Sequence, residues 1–133
     1  MSDEGIFEKG MKLRELHRFK AAAGFFHEIR KSNPNSAEAW FWEAVSLDNM
    51  GNEKDAIPCY IEAIRLGVPD SLLPKAYLWL SSSYSREGDW KNSDKYPRLA
   101  EENGDYEPPE EFEFISGKIR KRNKRLMKIK KRE

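Results

Sequence analysis

The feature that most constrains this chain is a self-similarity with a period near 34 residues. With residues 3–36 set above 37–70, Gly10 falls on Ala44, Ala22 on Ala56, Phe26 on Tyr60 and Ile29 on Ala63, and Pro34 and Pro69 stand near the two repeat ends. A third copy, residues 74–104, places Tyr77 on Trp40, Tyr84 on Leu47, Gly88 on Gly51 and Ala100 on Ala63. A period of this length belongs to arrays whose units cannot bury their apolar faces alone and do so by stacking. The chain of 133 residues is long enough for one domain with a real core.

Each copy splits into two amphipathic stretches around a break. In the second copy Asn35 or Ser36 is the expected helix cap, the first helix runs to Met50, and Gly51-Asn52 stops it. The following helix, expected over 55–66, sets Ala56, Tyr60, Ala63 and Ile64 at three- and four-residue spacing. Pro58 is tolerable if that helix starts late, whereas Pro97 lies deeper in its helix and predicts a kink or a shortening.

Trp40, Ala44, Leu47, Gly51, Ala56, Tyr60, Ala63 and Pro69 together resemble the signature of the tetratricopeptide repeat, and the resemblance spans residues 3–104. The first copy departs from it by lacking the Trp and carrying His17 at the inter-helix Gly, and the third by Pro97 at an aromatic position. The run from Ala56 to Trp90 is also similar to small stand-alone bacterial proteins of this repeat type. The resemblance implies an all-α fold: a right-handed superhelical array of three helix-turn-helix units (3–36, 37–70, 74–104) plus a C-terminal capping helix. Residues 105–133 read as an acidic linker and a basic helix or tail.

Trp40, Phe41 and Trp42 stand consecutively on one helix. Residues two apart on a helix point about 200° away from each other, so Trp40 and Trp42 face opposite sides. The resemblance implies that Trp40 wedges between the helices of its own unit and that the first helices line a concave groove. The expected wall is Phe7, Met11, Phe41, Trp42, Val45, Lys75, Leu78 and Trp79, rimmed by Glu4, Glu38 and Asp48. Such an apolar surface marks a binding site, unless these side chains pack on one another. Relatives that grip a C-terminal carboxylate carry Lys, Asn, Asn, Lys and Arg at positions held here by Phe7, Met11, Trp42, Lys75 and Trp79. Only Lys75 survives of that clamp. The expected ligand is therefore an apolar or aromatic helix or extended peptide with some positive charge, with Trp42 and Trp79 as anchors.

Charge divides the chain. Residues 118–133 hold ten of the 24 Lys and Arg and one acid, leaving 14 bases against 22 acids, a net of −8, on the first 117. Phe112, Ile115, Ile119, Leu126 and Ile129 form a stripe interrupted by Arg122, and the first three suit a cap over the last repeat. Lys118, Arg120, Lys121, Arg122, Lys124, Arg125 and Lys128 leave three readings open: contact with nucleic acid or an anionic surface, a solvated helix end, or pairing with the acidic body of another copy.

Catalytic and metal chemistry finds no purchase in the sequence. His17 and His27 lack a second ligand at metal spacing, and there is no phosphate-binding Gly loop, nucleophile elbow or HExxH. The serines of 81–85 fall on a first helix as small packing residues, and lone Cys59 reads as core. No cofactor is expected. The acidic start and the lack of an apolar run near 18 residues point to a cytoplasmic protein. The leading expectation is a non-catalytic adaptor that binds a protein or peptide partner, with self-association open, and the alternative is a nucleic-acid or anionic-surface binder acting through the tail.

Overall fold

The computed structural model describes residues 2–104 and 108–132, with the side chain of Arg132 excepted. The acidic linker residues 105–107 and Glu133 lie outside the described residues. All regular structure among the described residues is helical. The chain divides into two compact units, Met1–Val68 and Pro69–Glu133, where its length alone suggests one domain.

The first unit holds α1 (Asp3–Glu15), α2 (Phe19–Ser32), α3 (Ala37–Asn49) and α4 (Glu53–Leu66), each packed on the next. The second holds α5 (Leu73–Arg86), α6 (Trp90–Ser93), α7 (Tyr96–Glu102) and α8 (Pro109–Arg132). The helix pairs α1/α2, α3/α4 and α5/α6–α7 span residues 3–32, 37–66 and 73–102.

The same turn closes the first helix of every pair. His17, Gly51 and Gly88 adopt positive φ of 59°, 80° and 85°. The next residue's N–H then reaches back five residues: Arg18 to Leu13, Asn52 to Leu47 and Asp89 to Tyr84, each at 2.9 Å. This is the Schellman closure, which glycine adopts without steric cost and histidine does not. Asn52 and Asp89 then cap the following helix with their side chains, but Arg18 supplies no cap. The first turn thus lacks both local devices that the other two share.

Each copy carries small buried residues at matching positions of its two helices: Gly10 and Ala22, Ala44 and Ala56, and Ser81 and Ser93, of which the two serines bond to each other. Phe26 and Tyr60 are fully buried in the first unit. Burial of side chains of this size contributes about 1.5–3 kcal/mol each. The Tyr60 hydroxyl donates to Asp48 Oδ2 at 2.9 Å, so its polar end is satisfied.

The third copy has Pro97 where Phe26 and Tyr60 stand, and the interruption is complete. Pro97 has no N–H for the Ser93 carbonyl four residues back, so the helix ends at Ser93 and restarts at Tyr96, with Pro97 in its first turn. The Ser93 carbonyl accepts instead from Ser81 Oγ at 2.8 Å, and Ser93 Oγ donates to the Ser81 carbonyl at 2.8 Å. Asn123 of α8 donates to Ser93 Oγ and Asp94 Oδ1, both at 2.9 Å. Tyr96 stacks between Tyr77 and Tyr84, with ring centroids 6.0 and 5.9 Å away, and supplies aromatic packing in this unit. Pro58 also departs from expectation: α4 begins at Glu53, two residues early, and Pro58 lies inside it.

Candidate functional site

Helix α3 is apolar around most of its circumference because α2 packs on one side and α4 on the other. This arrangement settles where the three aromatics point. Phe41 is fully buried and meets Tyr60 of α4 edge-on at 6.2 Å. Trp40 is half-buried at the α2–α3 junction, where its Nε1 donates to the Pro34 carbonyl at 2.9 Å and the Arg30 guanidinium lies 4.1 Å over its ring. These contacts correct the expected wedge between α3 and α4. Trp42 is half-buried and packs, with Phe7 and Met11 of α1, against a core of Ala22, Phe26, Ile29 and Ala39.

Phe41, Val45 and Leu78, expected on an open wall, are core residues with at most 4% of their surface exposed. Neighbouring helices cover them, which correct helical phase alone does not reveal. The half-buried remainder of the expected wall is Phe7, Met11 and Trp42 in the first unit, and Lys75 and Trp79 in the second. Trp79 packs with Tyr77, Phe112 and Ile115 against Leu78, Ala100 and Ile119.

On the first-unit face, Phe7, Met11 and Arg14 fall at four- and three-residue steps and so share one stripe of α1. The Arg14 guanidinium lies 4.4 Å over the Trp42 ring. Burial pushes its pKa below the ordinary arginine value, while the Glu15 carboxylate acts in the opposite sense.

An ionic cluster unforeseen from the sequence joins α2 to α3. Glu43, 5% exposed, accepts from Arg30 Nε and Nη2, and His27 Nδ1 lies 3.0 Å from its Oε1. Such a buried carboxylate is held by its paired partners. Cys59 is buried beside this region. Desolvation, with Glu43 adding to it, pushes its thiol up to about 12.

The tail is one helix from Pro109 to Arg132, continuous through Gly117. Ser116, Ile119 and Asn123 are buried on the face that packs on α5 and α6, with Phe112, Ile115, Leu126 and Met127 half-buried around them. Lys118, Arg120, Lys121, Lys124, Arg125 and Lys128 are exposed. Arg122 is a correction to the basic surface: it is half-buried and donates to Ser85 Oγ at 3.2 Å. Ile129, read as part of the apolar stripe, is 56% exposed. Ser81, Ser83 and Ser85 are buried in the packing of α5. No group of three or more His, Cys, Asp or Glu among the described residues is placed to hold a metal ion. No described helix is long and apolar enough to cross a membrane.

Among solved structures, the chain is similar to the Yersinia enterocolitica type III secretion chaperone SycD, solved in complex with a peptide of the translocator YopD. The TM-score is 0.74 at 16% identity, over 98% of this chain and 97% of that one. It is also similar to a chain of the CopN–Scc3 complex, with a TM-score of 0.72 at 18% identity, over 86% of this chain and 67% of that one. The chain shares their all-helical fold. No protein-family model matches it, and no curated protein matches it in sequence.

Proposed function

We propose that this chain is a non-catalytic protein-interaction module of the tetratricopeptide-repeat kind, which holds an apolar or aromatic segment of a partner protein. The observation that carries the reading is the likeness, across nearly the whole chain, to a chaperone solved with a translocator peptide. Phe7, Met11 and Trp42 are the candidate contact residues of the first unit, with Trp42 as anchor, because large half-buried aromatics give much contact area at low entropic cost. Trp79 and Lys75 are the candidates of the second unit. The partner segment docks as a helix or an extended peptide.

The test is a binding comparison between the intact chain and Trp42→Ala/Trp79→Ala, using peptides selected on the intact chain and a helical circular-dichroism spectrum as control for folding. The reading expects affinity to fall at least about tenfold with the spectrum kept, since truncating an interface anchor costs about 2 kcal/mol or more. Undiminished binding by the double variant would refute it.

A further inference from the structure

Glu15 acts on the Arg14 charge but forms no ion pair with it among the described residues. Among the described residues the Arg14 side chain makes no hydrogen bond and no ion pair, and its Nε–H is buried without a partner. Buried polar groups in folded proteins are paired in the great majority of cases, and a partly desolvated guanidinium is among the costlier groups to leave unpaired. The Trp42 ring beneath it supplies no hydrogen-bond acceptor: a ring stabilises the cation without satisfying its N–H groups. The arrangement contrasts with Arg30, which also lies over a tryptophan ring but is closed by Glu43. Arg14 has the stacking without the carboxylate.

We propose that Arg14 receives a side-chain carboxylate from the bound partner, so that the segment recognised by the first unit carries an Asp or Glu beside its apolar anchor. This rests on the adaptor reading and narrows it to a partner of defined chemistry. Met11 and Phe7, one and two turns back along the α1 stripe, take the apolar side chain, and Trp42 forms the common floor. A guanidinium already held over an indole loses little side-chain freedom when a carboxylate makes a two-point contact with it. The site differs from a C-terminal carboxylate clamp in needing no chain end.

The experiment is a selection of random 12-residue peptides, displayed with their C-termini fused so that only side-chain carboxylates are offered, on the full chain, Arg14→Gln and Trp42→Ala. The best peptide is then synthesised with Glu or Gln at the enriched acidic position, and both forms are titrated by fluorescence anisotropy. The proposal expects acids enriched at a fixed distance from apolar residues, with the Glu form at least about tenfold tighter. In Arg14→Gln that ratio should fall toward one while the apolar preference stays. Should Arg14→Gln fail to fold, Arg14→Lys serves, with a reduced but surviving preference for Glu because the charge is kept and the planar fork is lost. Apolar enrichment without acids, or a Glu preference that survives Arg14→Gln, overturns the carboxylate site and leaves the adaptor reading standing. Enrichment that does not depend on Trp42 overturns the first-unit site, and absence of any enrichment overturns the adaptor reading with it.

Discussion

Gly10 and Gly24 allow the crossing of α1 and α2 to be weighed by a pair of identical substitutions. Both are helical glycines, so replacement by Ala gains about 1 kcal/mol of helix propensity at either site. Their surroundings differ. A Cβ on Gly24 meets nothing within 4 Å, whereas a Cβ on Gly10 would stand 2.8 Å from Cζ and 2.9 Å from Cε1 of Phe26. That ring is fully buried and cannot swing into solvent. Overpacking of this kind costs about 1–3 kcal/mol. Gly24→Ala should therefore stabilise by up to about 1 kcal/mol, and Gly10→Ala should range from neutral to about 2 kcal/mol destabilising. The gap of about 1–3 kcal/mol isolates the packing cost, because the propensity gain cancels between the two variants. Urea unfolding followed by circular dichroism measures it, and at about 4 °C per kcal/mol it is visible in thermal melts. A gap below about 0.5 kcal/mol would mean that Phe26 does not lie against Gly10, and the assigned register of the first helix pair would be wrong.

Arg18→Asp gives α2 the side-chain cap that Asn52 and Asp89 provide in the other two turns, and should raise stability by about 1 kcal/mol in urea unfolding. Glu43→Ala leaves the Arg30 guanidinium without its carboxylate at the α2–α3 junction, and should cost about 3 kcal/mol with little dependence on salt, read from urea melts at low and high ionic strength. Cys59 has a folded-state pKa raised by burial to about 12, above its ordinary value near 9. Its contribution is therefore fully present below about pH 9 and is lost as pH rises from there toward about 12. Cys59→Ala should flatten the fall in stability over that window, measured by urea unfolding at successive pH values.

The period carried much of the architecture because it records what recurs: the small crossing pairs, the turns and the helix lengths. Gly51 and Gly88 could be read as turns from their identity, and His17 took the same positive φ because its position in the repeat demanded it. What the period does not carry is which of two flanking helices a side chain meets. Phe41 and Val45 have the phase of a surface stripe but are covered, since α3 has a helix on each side. Trp40 was legible as a packing residue, yet Pro34 and Arg30 draw it to the junction with α2. Interactions between side chains distant in sequence were the hardest to foresee. Glu43 at an otherwise apolar position was the only signal of its cluster, and nothing local announced that Asn123 would meet Ser93. Arg122 was legible as an interruption of the apolar stripe, but its contact with Ser85 was not.

The most direct test of partner binding is a two-dimensional nuclear magnetic resonance titration that follows the four tryptophan indole N–H signals as a selected peptide is added. The account predicts that the Trp42 signal, the Trp79 signal or both move with saturation, while Trp40, bonded through its indole to the Pro34 carbonyl, and Trp90 stay in place. Saturable shifts confined to Trp40 and Trp90, or bound peptide with both Trp42 and Trp79 unmoved, would contradict it.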